Sequence, residues 1–317
     1  MSMAITSQFG YHSTALEVVD GIELTGRNAF VTGGGSGIGI ETVRALATAG
    51  AHVSVALRTP GQGESLLANL GSALESRITL IAMDLADLES VRAVSASYVE
   101  GGRPLHILIN NAGVMATPQG ATKQGYELQF GTNHLGHFVL TQGLLPALRA
   151  SGGARVVALS SSAHRRSDVD LEDPNFAHRP YDKWASYGQS KTANALFAVE
   201  LTKRYSADGI FANAVMPGGI MTGLQKHMPI EEQRAAGFID DDGNPNAMFK
   251  NAAQGASTST WAATGQELHN VGGLYLENCQ EAGPMDPAKP FLGVMPYALD
   301  SAHAHNVWEM TESLLRP

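Results

Sequence analysis

The sequence predicts an α/β fold in which helices flank a doubly wound parallel sheet. Short apolar runs rich in β-branched residues recur along the chain and suit strands buried on both faces. Segments with helical character separate these runs, as in a parallel sheet with crossover helices. Glycine accounts for 35 of the 317 residues and charged residues for only 16%, which favours tight turns around a buried sheet.

About seven strands are predicted. Six are clear apolar runs, and a shorter run near the end of the chain forms the seventh. They are NAFVTG (28–33), HVSVAL (52–57), ITLIAM (78–83), LHILIN (105–110), RVVALS (155–160), IFANAV (210–215) and GGLYLE (272–277).

Helices are predicted between and after these strands. The segment from Ile38 to Ala49 follows a glycine turn, and the segment from Leu88 to Val99 follows Asp87, a good N-cap residue. The remaining predicted helices span 135–148, 187–205 and 300–315.

We expect residues 1–317 to form a single domain, because no linker or internal repeat divides the chain. Residues 1–26 are interpreted as an N-terminal extension with a short helix, and the polar residues 163–185 as an insertion loop. The irregular region 217–250 is interpreted as a variable substrate lid.

Composition limits the partners. A formal net charge of −9 argues against nucleic acid as the main partner. No signal peptide and no apolar run of about 18 residues are visible, so we expect a cytoplasmic protein without membrane insertion. The single cysteine, Cys279, is interpreted as a packing thiol in a reducing compartment.

A glycine-rich turn with the spacing T-G-x-x-x-G-x-G joins the first strand to the first helix. Glycines allow close approach of the backbone to a phosphate, and the helix N-terminus offers free N–H groups to it. This pattern predicts a dinucleotide site, and a tight turn without a ligand is the alternative. The residues of the turn are Thr32, Gly33, Gly35, Ser36, Gly37, Ile38 and Gly39.

The end of the second strand carries Arg58 and no acidic residue. An acid there would bind the ribose 2′-hydroxyl of NAD(H) and repel a 2′-phosphate, whereas an arginine attracts the phosphate. We therefore predict NADP(H), with NAD(H) as the alternative if Arg58 only stacks on the adenine.

Tyr187 and Lys191 lie four residues apart and thus on one helix face. A nearby ammonium favours the phenolate and lowers the pKa of a tyrosine, so the pair could exchange protons with a substrate. The alternative is two ordinary residues on a solvated helix face.

Several motifs together closely resemble the short-chain dehydrogenase/reductase family over about residues 24–280. They are TGGGSGIG (32–39), NNAG (110–113), Asn133, LSSSAH (159–164), YGQSK (187–191) and PGGIMT (217–222). The pattern RPYDKWASYGQSKTANALFA (179–198), with its long Ser–Tyr insertion, resembles the branch that contains retinol dehydrogenases and WW-domain oxidoreductases. The resemblance implies a Rossmann-like fold.

The resemblance also implies catalytic roles. Tyr187 would be the general acid for carbonyl reduction and the base for alcohol oxidation, and Lys191 would lower its pKa and bind the nicotinamide ribose. Ser161 would hydrogen-bond the substrate oxygen, with Ser162 and, less favoured, Ser160 left open. Asn133 would hold a water that relays protons to Lys191, unless it is a satisfied polar residue of a helix.

Further positions are implied to bind the cofactor. Asp84 and Leu85 would meet the adenine, and Thr222 would reach the carboxamide. The remaining implied contacts are Asn111, Ala112, Gly113, Pro217, Gly218 and Ile220. The alternative for the two asparagines 110 and 111 is a purely structural turn.

We expect no metal, because the spacing of His134, His137 and His164 fits no zinc site. The leading hypothesis is an NADP(H)-dependent enzyme that interconverts an alcohol and a ketone or aldehyde. Its substrate is expected to be apolar or aromatic, because the predicted lid carries apolar and aromatic residues. They are Ile220, Met221, Leu224, Met228, Phe238 and Phe249.

Other hypotheses remain at the sequence level. They are a non-catalytic NADP(H)-binding regulator, an NAD-preferring dehydrogenase, an epimerase or dehydratase of the extended branch, and a pigment reductase. The extended branch carries a glycine where this chain has Ser36. We expect a homodimer or homotetramer through the two long helices at about 126–149 and 187–205.

Overall fold

Eight strands form one sheet in the computed structural model, which describes residues 4–289 and 291–316. The strands are β1 (Asn28–Thr32), β2 (His52–Leu57), β3 (Ile78–Ala82), β4 (Ile107–Asn110), β5 (Ala154–Leu159), β6 (Ile210–Met216), β7 (Tyr275–Glu277) and β8 (Gln280–Glu281). Their order in the sheet is β3-β2-β1-β4-β5-β6-β7-β8.

The first seven strands are parallel, and the predicted doubly wound sheet is confirmed. The strand order reverses between β1 and β4, and a ligand crevice is expected outside the carboxyl ends of the strands at this point. The added strand β8 pairs antiparallel with β7. Asn278 and Cys279 form the turn between β7 and β8, with φ angles of 49° and 57°.

Twelve α-helices occur in the described residues. They are α1 (Ala15–Val18), α2 (Ile38–Thr48), α3 (Pro60–Leu70), α4 (Ser72–Glu75), α5 (Leu88–Glu100), α6 (Leu128–Phe130), α7 (Gly136–Arg149), α8 (Lys183–Tyr205), α9 (Ile230–Ala235), α10 (Ala252–Gly255), α11 (Ser257–Thr264) and α12 (Ser301–Leu314). A π-helical turn (Gly131–Leu135) precedes α7. Short 3₁₀ helices span Ser162–Arg166, Ser206–Asp208, Gly223–His227, Gln266–Leu268 and Pro296–Leu299.

The central strands are buried on both faces. Phe30 and Leu108 pack with one layer, which contains α5, α7 and α8. Val31 and Ile109, the next residues of β1 and β4, pack with α2 and α11 in the opposite layer. This alternation explains why the strands read as continuous apolar runs.

Helix α8 begins at Lys183, four residues before the predicted start at 187. The carboxylate of Asp182 accepts hydrogen bonds from the N–H groups of Trp184 at 2.9 Å and Ala185 at 2.6 Å. This N-cap extends the helix into the predicted insertion loop, whose first residues form the 3₁₀ helix Ser162–Arg166.

The terminal regions pack against this body. Helix α1 of the N-terminal extension lies against α2 and α11, and the Tyr11 hydroxyl donates to the Met248 carbonyl at the end of the lid. Helix α12 packs along α8, where the Trp308 ring stacks on Phe197 with ring centroids 5.8 Å apart. Within the described residues, no helix combines the length and the apolar character needed to cross a membrane.

Candidate active site

A cavity of about 530 Å³ opens at the carboxyl ends of the strands, where the strand order reverses. It brings together residues predicted from five separate motifs. The predicted residues in its lining are Thr32, Gly33, Gly35, Ser36, Gly37, Ile38, Arg58, Asp84, Leu85, Asn111, Ala112, Gly113, Ser161, Tyr187, Pro217, Gly218, Ile220 and Thr222. Gly39, Asn133 and Lys191 lie behind this lining.

The glycine turn needs its glycines. Gly33 and Gly37 have φ angles of 65° and 54°, in the left-handed region that favours glycine. A Cβ atom on Gly39 would lie 2.3 Å from the Gly33 carbonyl oxygen. No side chain of the described residues caps the N-terminus of α2, which leaves room for an anion, while the Gly39 N–H donates to the Ser36 carbonyl at 3.1 Å.

Thr32 ties the glycine turn to the end of β4. Its hydroxyl oxygen accepts from the N–H groups of Asn111 at 2.9 Å and Ala112 at 3.0 Å. The Asn111 amide donates in return to the Thr32 carbonyl at 2.8 Å. Asn111 thus has a structural role, and these bonds place the segment that ends at Gly113 in the cavity wall.

The outer part of the cavity carries the predicted nucleotide-selective residues. Arg58 follows β2 and is exposed at the cavity wall, and no ion pair in the described part of the chain involves it. Asp84 follows β3, and its carboxylate accepts from the Ala86 N–H at 2.9 Å. Leu85 beside it is buried and apolar.

Tyr187 and Ser161 meet at the inner end of the cavity. Tyr187 is only 4% exposed, and burial raises its pKa to about 12, although the Ser161 side chain opposes this rise. Ser160 instead donates to the Lys191 carbonyl at 2.8 Å. Ser160, Ser161 and Ser162 all line the cavity, so the assignment of Ser161 as the substrate contact stays a prediction.

Lys191 lies behind this hydroxyl pair. Its ammonium nitrogen donates to the Leu159 carbonyl at 3.1 Å and lies 5.6 Å from the centre of the Tyr187 ring. Burial lowers the pKa of Lys191 to about 8. Burial is the largest influence on the pKa of Tyr187 in this structure, and the lowering of that pKa by Lys191 stays a prediction.

The π-helical turn places Asn133 between two parts of the site. Its amide accepts from the Val114 N–H at 2.8 Å and donates to the Val114 carbonyl at 2.9 Å and to Ser190 at 3.0 Å. These contacts connect the wall segment after β4 with α8. A Cβ on Gly113 would lie 3.1 Å from the Asn133 amide oxygen and 3.5 Å from the Lys191 nitrogen, so Gly113 packs closely against both residues.

The lid forms the apolar side of the cavity. Thr222 starts its first 3₁₀ helix, accepting from the Leu224 N–H at 3.1 Å, and lies against Gly37 of the glycine turn. Met228 packs with Tyr187 in a small apolar cluster. The rings of Phe238 and Phe249, 5.4 Å apart, also line the cavity.

Some lining residues were not predicted from the sequence. Met115 and Thr132 adjoin the predicted NNAG and Asn133 positions, and this adjacency was the available signal. Phe291 reaches the cavity from the segment before α12. No local pattern marks that residue, since its approach depends on the tertiary fold.

The three histidines considered as metal ligands are buried and hydrogen-bonded. His134 contacts Thr311 at 3.0 Å, and His137 contacts the Thr32 hydroxyl at 2.8 Å. Burial lowers the pKa of His134 to about 4 and that of His137 to about 3, so both are neutral at pH 7. Across residues 4–289 and 291–316, no group of three or more metal-ligating side chains comes together.

The fold and the cavity define a nucleotide-binding α/β protein with a buried hydroxyl pair. The family model for short chain dehydrogenases matches residues 27–233, and the chain belongs to the short-chain dehydrogenase/reductase family. This membership confirms the predicted enzyme class, oxidoreductase. It also makes a nicotinamide dinucleotide the cofactor class, without selecting NAD(H) or NADP(H).

Several known proteins are similar to this chain over most of its length. A Streptomyces lividans protein named "Probable oxidoreductase" is 47% identical over 91% of this chain and 97% of its own. Mouse (Mus musculus) retinol dehydrogenase 13 is 36% identical over 92% of this chain and 83% of its own, which confirms the predicted retinol dehydrogenase branch. The crystal structure of an uncharacterized Mycobacterium paratuberculosis protein has a TM-score of 0.72 and 32% identity, covering 96% of this chain and 97% of its own.

Proposed function

We propose that this chain is an NADP(H)-dependent enzyme that interconverts an alcohol and a ketone or aldehyde. The placement of Tyr187 and Ser161 carries the proposal, because both residues line one cavity and the Ser161 side chain opposes the rise of the Tyr187 pKa. This pair lies in the same cavity as the glycine turn. A proton donor and a dinucleotide site thus share one chamber, as carbonyl reduction requires.

In the reducing direction, the substrate oxygen is bound by the hydroxyls of Ser161 and Tyr187. Ser161 donates a hydrogen bond to this oxygen, and Tyr187 transfers its proton to it. When bound, NADPH would supply the hydride for the carbonyl carbon. The Lys191 ammonium favours the phenolate that remains, and alcohol oxidation reverses these steps with the phenolate as base.

The residues around the glycine turn fit a dinucleotide. The uncapped N-terminus of α2 suits the pyrophosphate, and the apolar Leu85 beside Asp84 suits an adenine ring. Thr222 is close to the turn and is proposed to bind the carboxamide. Asn133 is proposed to keep the wall segment and α8 in register, with a water relay to Lys191 as its further role.

NADP(H) is favoured over NAD(H) by the charge at the end of β2. Arg58 is the cation there, its side chain is exposed to the cavity, and no carboxylate of the described residues neutralises it. A guanidinium in this position can pair with the 2′-phosphate of NADP(H).

The proposed substrate is apolar or aromatic. Met115, Met228 and Leu224 pack with Tyr187, and Phe238 and Phe249 extend the same wall. A carbonyl compound with a hydrophobic body would bury that body here while its oxygen meets the hydroxyl pair.

Replacement of Arg58 by Asp tests the cofactor assignment. We expect the Kd of NADPH to rise on the order of 10- to 100-fold relative to that of NADH, because a charge-assisted hydrogen bond becomes a repulsion. Titration of protein fluorescence with each nucleotide measures both constants. Arg92→Asp is the matched control, since Arg92 lies on α5 with Glu89 and outside the cavity.

A panel of aromatic and aliphatic carbonyls, followed by NADPH absorbance, tests the reaction itself. Turnover of hydrophobic ketones or aldehydes is the expected result. Unchanged NADPH-to-NADH selectivity in Arg58→Asp would refute the cofactor assignment, and binding of nucleotide without turnover of any carbonyl would refute the enzyme assignment.

A further inference from the structure

The main-chain oxygen of Ser161 lies in a buried polar cluster behind the cavity. It accepts hydrogen bonds from the His164 N–H at 3.0 Å, from the His164 Nδ1 at 2.8 Å and from the Tyr275 hydroxyl at 3.0 Å. His164 and Tyr275 are at most 1% exposed. Neither residue lines the cavity, so their effect on a substrate there passes through Ser161.

The hydrogen bonds determine which ring nitrogen of His164 carries the proton. The Met295 main-chain N–H points at the His164 Nε2 at 3.1 Å, and a main-chain N–H can only donate. Nε2 is therefore an acceptor without hydrogen. Burial lowers the pKa of His164 to about 4, which keeps the ring neutral with its proton on Nδ1. Nδ1–H then donates to Ser161.

His164 is itself fixed by several elements. Its carbonyl accepts from the Thr192 hydroxyl on α8 at 3.1 Å and from the Tyr297 hydroxyl at 2.7 Å. Its ring packs on Tyr275 of β7 at 4.8 Å between ring centroids. The histidine therefore connects the end of β5 with α8, β7 and the segment before α12.

Hydrogen bonds to both the side chain and the main chain fix the orientation of Ser161. Its side-chain oxygen accepts from the Ala163 N–H at 3.1 Å at the start of a 3₁₀ helix, and its carbonyl is held by His164 and Tyr275. A shift of the Ser161 backbone would move the hydroxyl relative to Tyr187. We propose that His164 is a positioning residue, which through Nδ1–H holds Ser161 where its hydroxyl meets Tyr187. The inference rests on the proposed function, in which Ser161 binds the substrate oxygen.

Two substitutions separate the contacts of the two ring nitrogens, of which Nδ1 also lies 3.1 Å from the Tyr275 hydroxyl. The side-chain nitrogen of asparagine is as many bonds from Cα as Nδ1, so His164→Asn can keep the bond to Ser161. Glutamine reaches as far as Nε2, so His164→Gln can keep the bond from Met295 and lose the one to Ser161.

We expect kcat of His164→Gln to fall on the order of 10- to 100-fold, because small misplacements of a reacting contact are costly. His164→Asn should retain kcat within about threefold, with the Kd of NADPH unchanged in both variants. A purely structural role predicts instead that both variants lose thermal stability while kcat per folded enzyme stays the same. Equal kcat values of the two folded variants would overturn the inference.

A measurement without turnover keeps the inference separate from the proposed function. Long-range ¹H–¹⁵N spectra of the wild-type protein report the tautomer of His164. We expect the Nδ1–H form throughout neutral pH, and an Nε2–H form would overturn the inference. Absence of carbonyl turnover in the wild-type protein would instead refute the proposed function.

Discussion

Burial sets the acidity of the two groups proposed to move protons. The pKa of Tyr187 is raised to about 12, so the phenol is protonated across neutral pH and ready to donate to a carbonyl oxygen. The pKa of Lys191 is lowered to about 8, because its ammonium is removed from water. This state of the protein favours reduction at neutral pH. Alcohol oxidation requires alkaline conditions, because the phenolate must accept the proton of the alcohol while the oxidised cofactor would accept the hydride.

Substitution of Lys191 by Met is expected to stabilise the fold while it impairs turnover. The buried ammonium is costly at pH 7, and the Leu159 carbonyl keeps a second donor in Asn194 at 2.9 Å. We expect a gain of about 1–3 kcal/mol in the free energy of unfolding at pH 7, measured by urea denaturation.

The stability difference between the wild-type protein and Lys191→Met is expected to depend on pH. The folded pKa of about 8 lies below the ordinary 10.5, so between these values the folded protein binds fewer protons than the unfolded chain. Wild-type stability therefore rises with pH in that window relative to the variant, and the difference disappears above it. Lys203→Met on the exposed face of α8 is the control. A Lys191→Met variant less stable than wild type at pH 7 would contradict this account.

The sequence alone predicted which residues form the candidate site, but it could not predict their protonation states. The spacing of Tyr187 and Lys191 placed both on one helix face, but spacing carries no information on desolvation. Three consecutive serines could not be separated by pattern alone. In the structure the Ser160 hydroxyl donates to the Lys191 carbonyl, whereas the Ser161 side chain acts on the pKa of Tyr187.

At the scale of elements, the glycine turn depends on contacts that only glycine permits. Gly39→Ala would place a methyl group 2.3 Å from the Gly33 carbonyl oxygen and 2.9 Å from the Asn111 amide. We expect the Kd of NADPH, measured by fluorescence titration, to rise by about tenfold or more as the turn shifts.

Gly61→Ala is the matched control for this substitution. Gly61 lies in the first turn of α3, and an added methyl group would meet no atom within 4 Å. We expect unchanged binding and a gain of about 0.5–1 kcal/mol in stability. Equal affinities of the two variants for NADPH would contradict the role of the turn.

Elements were predictable where the apolar pattern was continuous. Strands β1 to β7 follow this rule, whereas α3 was missed because Gly61 and Gly63 interrupt its pattern. Its start is stabilised by Gln62, whose side chain accepts from the Thr59 N–H at 3.3 Å. Helix α11 was missed because its serines and threonines are weak helix formers, and tertiary packing buries every one of its residues.

At the scale of the whole molecule, α12 covers helices that were expected to form a subunit interface. Trp308 of α12 is only 2% exposed and contacts both Phe138 of α7 and Phe197 of α8. Arg204 lies over the same ring and bonds Glu309 at 2.7 Å. The homodimer or homotetramer stays a prediction, and any pairing must use surface that α12 leaves free.

Three peripheral segments pack against the rest of the molecule. The lid, the N-terminal extension and α12 all contact the sheet-and-helix body, and the single domain stays a prediction from the sequence. Local sequence patterns could not predict these contacts. Tyr11 and Met248, for example, are far apart in the sequence and meet only in the folded chain. The cytoplasmic location likewise stays a prediction.

The central claim is that Tyr187 supplies the proton for a hydride transfer inside this cavity. Transfer of deuterium from NADPH labelled at C4 to a carbonyl carbon, measured by mass spectrometry, tests it most directly. We expect transfer by the wild-type protein and by Tyr205→Phe, a control at the far end of α8. Tyr187→Phe should bind NADPH normally and transfer deuterium on the order of 100-fold or more slowly. Wild-type rates of transfer in Tyr187→Phe would contradict the claim.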